Sequence, residues 1–390
     1  MLQTFNIKQL PTVEFGAGAI QKLPKILKQF NGAVLFIFGE KSFQLSDSFS
    51  TLQSLLKKEK ISYLHANITG EPSPEDIDNI ILKHGNSNLK AICSIGGGSV
   101  IDAGKAAAAM LTEKFSTQNY LEDIGTLKPT GTTLPFIAIP TTSGTGSEAT
   151  KNSVITKHGE LCFKKSLRHE NFVPKFAIID PNLTLTLPAT ITAFTGLDAL
   201  SQLIESYISA GSNRFTDTLA LDGIKLISNS IQPLCTNEPD NLILRTNMSY
   251  AAYLSGITLA HAGLCTVHGS ASVIGSYYNI PHGFICGKLL PIWTEKSIRK
   301  SIGIGDKNTI QKFSTIGKII LKNDFLEDRE AVEQLIFFLK NLTDNLLKGS
   351  FLQYGMKLND VDKFINECSN KNNPITFSNK EIKEIITEAI

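Results

Sequence analysis

The sequence predicts an α/β domain built on a parallel sheet over residues 1–185, followed by an all-helical domain over residues 186–390. Three observations carry this reading. Short continuous apolar runs alternate with helix-spaced segments through the first half, as in a sheet with helical crossovers. Glycine- or hydroxyl-rich loops directly follow two of those runs. Beyond Pro188 strand signals almost vanish and long amphipathic stretches take over. With 390 residues the chain is also longer than one ordinary core encloses.

Ala33-Val34-Leu35-Phe36-Ile37-Phe38 is apolar throughout and stops at Gly39, the pattern of a strand buried on both faces. Residues 47–59 have helical spacing. Residues 61–64 and 91–95 read as further strands; between them, residues 72–76 read as a loop running into an acidic helix start. Residues 134–140 are another strand. In the second half, residues 197–208, 216–231, 242–259 and 331–347 have helical periodicity.

Composition excludes several classes. Hydrophobic residues at 42% and charged residues at 19% suit a soluble globular chain with a large interior. A net charge of +2 with no basic block argues against a nucleic-acid or membrane-surface footprint. No apolar run approaches the ~18 residues of a bilayer span. Cys93, Cys162, Cys235, Cys265, Cys286 and Cys368 form no C-x-x-C pair, so neither a disulfide framework nor a zinc knuckle is indicated. Met1-Leu2-Gln3-Thr4-Phe5-Asn6 lacks the features of a signal peptide, and a reducing, cytoplasmic setting is expected.

Two loops suit a nucleotide. Ile95-Gly96-Gly97-Gly98-Ser99-Val100-Ile101-Asp102 leaves a strand and opens a helix. Its glycines let backbone approach a ligand, and the helix start offers N–H groups and a positive dipole end to a pyrophosphate. The loop matches neither G-x-G-x-x-G nor a Gly-Lys-Ser/Thr phosphate loop, and a plain tight turn is the bland reading. Thr141-Thr142-Ser143-Gly144-Thr145-Gly146-Ser147-Glu148 follows the 134–140 strand with a row of hydroxyls, which serve a nucleotide or merely cap a helix. Together the loops point to one dinucleotide crevice at the carboxyl ends of parallel strands. Glu40, just past the 33–38 strand, either accepts ribose hydroxyls, favouring NAD over NADP, or is a solvated acid paired with Lys41.

The helical half holds a metal-ligand constellation. Asp198 and Gln202 are four apart in Thr195-Gly196-Leu197-Asp198-Ala199-Leu200-Ser201-Gln202-Leu203-Ile204-Glu205, hence on one helix face. His268 in Val267-His268-Gly269 and His282 in Ile280-Pro281-His282-Gly283 can converge on them. An Asp with two His suits a divalent ion, although a lone His in a glycine-rich turn is more often structural.

Taken together, these motifs resemble the iron-containing (group III) alcohol dehydrogenase family over essentially the whole chain. The resemblance rests on Phe15-Gly16-Ala17-Gly18, the 96–102 loop, the stretch from Pro140 to Glu148, Asp180-Pro181, the stretch from Thr195 to Leu200, and Pro281-His282-Gly283. It implies a dehydroquinate synthase-like architecture: a dinucleotide-binding α/β domain, then a helical metal and substrate domain. It places cofactor on Gly97, Gly98, Ser99, Asp102, Thr141, Thr142 and Lys164. It makes Asp198, His268 and His282 metal ligands, with Gln202 where the family usually has His and Ser272 where it often has another His. A carboxamide oxygen is a weaker partner for iron or zinc than imidazole, which marks this chain as a Gln-bearing subgroup.

The activity implied is NAD- or NADP-dependent, metal-assisted oxidation of an alcohol or reduction of an aldehyde or ketone. Asp198, His268 and His282 would hold iron or zinc as a Lewis acid during hydride transfer. His261 is a candidate proton relay, with a packed helix histidine as its plainer reading. Rival readings are a metal-independent reductase resembling maleylacetate reductase and a non-catalytic nucleotide-binding homologue. The expected partners are a small alcohol or aldehyde and further copies of the chain in a homodimer or larger assembly, with no nucleic acid and no membrane.

Overall fold

The structure, a computed structural model, describes residues 4–40, 42–159 and 162–390. Lys41, raised above as a partner for Glu40, lies outside them. The chain divides into two compact units. One comprises Lys8–Thr142 and Gly146–Thr186; the other comprises Leu187–Ile390 together with residues 4–7 and Ser143–Thr145.

The first unit is built on a six-stranded parallel sheet. Its strands are β1 (Thr12–Phe15), β2 (Ala33–Phe38), β3 (Tyr63–Asn67), β4 (Leu89–Gly96), β5 (Phe136–Pro140) and β8 (Phe176–Ile179), in the order β1-β8-β5-β4-β2-β3. An antiparallel hairpin, β6 (Asn152–Lys157) with β7 (Phe163–Arg168), lies outside that sheet. The helices are α1 (Leu23–Leu27), α2 (Asp47–Lys58), α3 (Pro74–His84) and α4 (Gly98–Met110). β2 shows why its sequence is apolar without alternation. Leu35 and Ile37 enter one core with Ile77 and Ile80 of α3, while Val34, Phe36 and Phe38 enter another with Leu52 and Leu56 of α2. Both faces of the sheet are covered, so no position of β2 is free to be polar.

β3 lies two residues later than residues 61–64 suggested. Tyr63 pairs with Val34 and the strand runs on to Asn67. As an edge strand, half exposed, it carries His65 and Asn67 and needs no apolar run.

Chain order fixes where a ligand can lie. The path runs from β2 outward to β3 and returns to β4 on the other side of β2, so the direction reverses between β2 and β4. Open parallel sheets bind ligands beyond the carboxyl ends of their strands at such a reversal. Those ends are Gly39-Glu40 and Gly96-Gly97. α4 lies hard against the sheet, because a Cβ on Gly104 would come 1.8 Å from Ser94 Oγ and 2.7 Å from the Phe136 ring.

The second unit has helices and no strand among its described residues: α5 (Ala189–Ile208), α6 (Arg214–Thr236), α7 (Leu242–Ala262), α8 (Thr266–Tyr277), α9 (His282–Ile304), α10 (Lys307–Leu321), α11 (Asp328–Leu346), α12 (Val361–Phe364) and α13 (Asn379–Ala389), with short 3-10 turns. α5 packs on α6, α7 and α9 and is buried without a break from Gly196 to Ile208. A wholly buried helix has no need of charge, yet α5 carries Asp198, Gln202 and Glu205 at i, i+4 and i+7, one polar stripe on one face. Among the described residues no single helix is long and apolar enough to cross a membrane.

Candidate nucleotide loops and metal centre

In the first unit the glycine and hydroxyl loops meet at adjacent strand ends. The Thr141 N–H donates to the Gly96 carbonyl at 2.9 Å, and the Thr142 side chain lies 3.5 Å from where a Gly97 Cβ would be. α4 begins at Gly98, and its N-cap residue Gly97 has no side chain to take up the first N–H groups, which have no partner within the helix. Gly97, Gly98, Ser99, Thr141 and Thr142 are all partly exposed there, and Glu40 is exposed beyond β2. This is a donor-rich strand-end site of the kind that takes a pyrophosphate.

Asp102 and Lys164 are occupied within the protein. The Asp102 carboxylate accepts from Ser147 Oγ and, at 3.1 Å, from the Val154 N–H, tying α4 to the hydroxyl loop and to β6. Lys164 on β7 is ion-paired with Glu71, which also accepts from Thr156 Oγ1 at 2.6 Å. Beneath the loops Lys105 donates to the Ser147 and Asn152 carbonyls at 2.8 and 2.6 Å. Burial pulls Lys105 down to about 8, pushes Glu148 up to about 7 and raises Asp102, with mutual attraction only partly offsetting the loss of water. Two other family-like motifs also meet: the Asp180 carboxylate accepts from Gly18 N and Ile20 N at 3.0 and 3.1 Å, clamping the turn after β1.

In the second unit three helices deliver four donor atoms to one point. Asp198 comes from α5, His268 from the first turn of α8, and His282 and Cys286 from the first two turns of α9. One ligand atom from each lies within 4.8 Å of the others. Asp198 Oδ1 is 3.3 Å from His268 Nε2 and 3.7 Å from His282 Nε2, and Cys286 Sγ is 3.6 Å from both nitrogens. Asp198 and His268 are buried, while His282 is 22% exposed and gives the group its opening. The start of α9 can sit this close to α5 because residue 283 is glycine; a Cβ there would fall 2.0 Å from the Phe194 carbonyl oxygen.

Glu205 holds this arrangement. Its Oε1 accepts from Cys265 N at 3.1 Å and from His268 N at 3.3 Å, capping α8 where Cys265 offers no side-chain cap. Its Oε2 meets His268 Nδ1. A carboxylate can only accept there, so Nδ1 always carries a proton, and Nε2, which faces Asp198 and Cys286, is the nitrogen that yields its proton to bind a cation. That is the carboxylate–histidine pairing that orients metal-binding imidazoles. Burial alone would raise Asp198, but the hydrogen bond from His268 and the charge of His282 hold it below its ordinary value. Burial alone would lower His268, but Cys286, Glu205 and Asp198 together lift it well above the usual range. Burial sets Cys286 at about 11, a thiol until a cation displaces its proton.

The donor set fits a divalent ion: a carboxylate, two imidazoles with one tautomer fixed, and a soft sulfur. Gln202 is placed differently from the ligand role raised above. Its Nε2 donates to Asp198 Oδ2 at 3.2 Å, and its Oε1 accepts from Ser255 Oγ at 2.7 Å. A carboxylate neighbour demands a donor, so the carboxamide turns its nitrogen inward and its oxygen away. Ser272 Oγ donates to the His268 carbonyl at 3.0 Å, and His261 Nδ1 lies 2.7 Å from the Ile257 carbonyl of its own helix with its ring edge-on to Phe215. Glu205 and Cys286 went unassigned in the sequence reading. Spacing offered a signal for each: Glu205 lies seven after Asp198, and Cys286 four after His282.

Comparison with known proteins agrees in both halves. The family model described as "Iron-containing alcohol dehydrogenase" matches residues 11–181, and "Fe-containing alcohol dehydrogenase family, C-terminal" matches residues 192–390. The chain is 30% identical over 389 residues to alcohol dehydrogenase 4 of Saccharomyces cerevisiae, covering 97% of each. It is 28% identical to the NAD-dependent methanol dehydrogenase of Bacillus methanolicus, covering 97% of this chain and 98% of that one. Among solved structures, an alcohol dehydrogenase from Oenococcus oeni superposes with a TM-score of 0.88 at 30% identity, covering 99% of this chain and all of that one.

Proposed function

The chain belongs to the iron-containing alcohol dehydrogenase family, and on that premise we propose that it interconverts a small alcohol and its aldehyde or ketone, using NAD(P) and one divalent ion. The observation that carries the proposal is the convergence of Asp198, His268 and His282 donor atoms from three helices, with His268 held in its ligating tautomer by Glu205. Relatives over nearly the whole chain are named alcohol dehydrogenases, one of them NAD-dependent.

When bound, the nicotinamide supplies the hydride carrier and the ion a Lewis acid for the substrate oxygen. The chain's own residues do the rest. Gly97, Gly98 and Ser99 present the start of α4 to the pyrophosphate, and Thr141 and Thr142 add hydroxyls. Glu40, at the end of β2, accepts ribose hydroxyls and repels an added 2′-phosphate, which favours NAD. Asp198 brings the negative charge that offsets a divalent cation, and Gln202 keeps its second oxygen engaged so that Oδ1 stays pointed inward. Partly exposed His282 is the side on which a substrate can arrive.

The test is elemental analysis after anaerobic loading with Fe²⁺ or Zn²⁺ and dialysis, followed by a panel of small alcohols with NAD⁺ or NADP⁺. About one ion retained per chain, lost in Asp198→Ala together with turnover, is the expected result. No retained ion, with turnover indifferent to chelators, would overturn the metal-assisted reading and favour a metal-independent reductase.

A further inference from the structure

We propose that Cys286 is a fourth protein ligand to the ion, taking over from the imidazole that the family pattern places where this chain has Gln202, and that the site is therefore a tetrahedral Asp-His-His-Cys centre suited to zinc or cobalt. This rests on the metal-assisted reading above.

The inference starts from what Gln202 does. With its amide nitrogen on Asp198 and its oxygen on Ser255, it is engaged on both sides and offers no lone pair to the centre. α5 thus contributes one donor where the family pattern expects two. On α9, one turn beyond His282, Cys286 puts its sulfur 3.6 Å from both His Nε2 atoms. A cysteine serving only as core filling would sit among carbons; this one faces two imidazole nitrogens and a carboxylate in a fully buried position.

The separations bear on the coordination geometry. With metal–nitrogen and metal–oxygen bonds of about 2.0–2.2 Å and metal–sulfur of about 2.3 Å, tetrahedral angles place N and S about 3.5 Å apart and N and O about 3.4 Å apart. Right-angled, octahedral neighbours would lie about 3.0 Å apart on the same bond lengths. The protein shows 3.6 and 3.6 Å for N to S, and 3.3 and 3.7 Å for N to O. All four lie nearer the tetrahedral values than the right-angled ones. Thiolate is also a soft donor that suits zinc better than a hard-ligand site would.

Cobalt(II) reads this out directly. The purified full-length protein, stripped with chelator and reloaded with Co²⁺, is expected to bind about one ion per chain and to show both the visible bands of tetrahedral cobalt and a near-ultraviolet thiolate-to-cobalt charge-transfer band. Cys286→Ser should remove the charge-transfer band while still binding cobalt, with affinity lowered at least ~10–100-fold, the range seen even for outer contacts. Gln202→His in the Cys286→Ser background should restore affinity without restoring the band. Stoichiometric cobalt with no charge-transfer band in the parent protein refutes the thiolate ligand and leaves the metal site standing. A band that survives Cys286→Ser refutes it equally. Failure of the parent to retain cobalt at all would sink the metal site itself, and the proposal with it.

Discussion

Exchanging Glu205 for glutamine separates two roles that this residue combines. Its carboxylate caps α8 through Cys265 N and His268 N, and it holds the proton of His268 on Nδ1. Glutamine has the same length, and its Oε1 can keep accepting the two backbone N–H groups. Those bonds become neutral ones: hydrogen bonds to a charged partner contribute about 1.5–3 kcal/mol each and neutral ones about 0.5–1.5. Weakening two of them, with the loss of a negative charge at a helix start worth about 0.3–1 kcal/mol, should destabilise the helical unit by about 2–4 kcal/mol. The larger effect falls on the metal. The new amide NH₂ occupies the place of Oε2 and donates towards His268 Nδ1, which drives the ring proton to Nε2, the atom that faces Asp198 and Cys286. A ligand in the wrong tautomer should cost ~10–100-fold in metal affinity, about 1.4–2.7 kcal/mol. The assay is competition for Zn²⁺ or Co²⁺ against a chromophoric chelator at fixed pH, well below the melting midpoint, so that only folded protein is measured. If Glu205 merely caps α8, melting will drop and metal affinity will not move. That result would refute the tautomer argument.

Three further outcomes follow from the structure. Glu40→Gly or Glu40→Arg should raise kcat/KM with NADP⁺ relative to NAD⁺ by tenfold or more, on the order of one lost or gained charge interaction; an unchanged ratio would remove Glu40 from the ribose site. Burial holds Glu148 at about 7 against an ordinary 4.5, so the folded protein binds that proton more tightly than the unfolded chain. Its contribution to stability is complete below about pH 4.5 and is lost as pH rises to about 7, so Glu148→Gln should gain about 2–3 kcal/mol on the parent between about pH 5 and pH 8. Parallel melting curves for parent and variant across that range would contradict the raised carboxyl. Gly283→Ala forces a methyl group to within 2.0 Å of the Phe194 carbonyl oxygen, so α9 must shift, at a cost of about 1–3 kcal/mol with reduced metal retention; full retention in a normally melting variant would show that the start of α9 has slack.

Much of this protein was legible in one dimension. β2 announced itself because a strand covered on both faces has no place for a polar residue. α5, α6, α7 and α11 did so because helical spacing sorts apolar from polar residues over many turns. The glycine loop, the hydroxyl loop, Asp198, His268 and His282 stood out because backbone approach and metal ligation each need a narrow choice of residue type. The hairpin β6–β7 and the short strands β1 and β8 were not legible. β7 carries Lys164, Lys165 and Arg168, and its strand character comes from pairing with β6 rather than from apolar content.

What tertiary structure alone decided is which atoms meet. Glu205 and His268 are 63 residues apart, Asp198 and His268 are 70 apart, and nothing local requires their contact. The packing of α8 and α9 on α5 sets the proton on His268, turns the Gln202 amide towards Asp198, and brings the Cys286 sulfur to two imidazoles. Sequence by itself determined the supply of donors and the elements that carry them, because propensity and periodicity act over a few residues. Their directions were settled by contacts between distant helices, where burial removes water and each polar group must take whatever partner the fold provides.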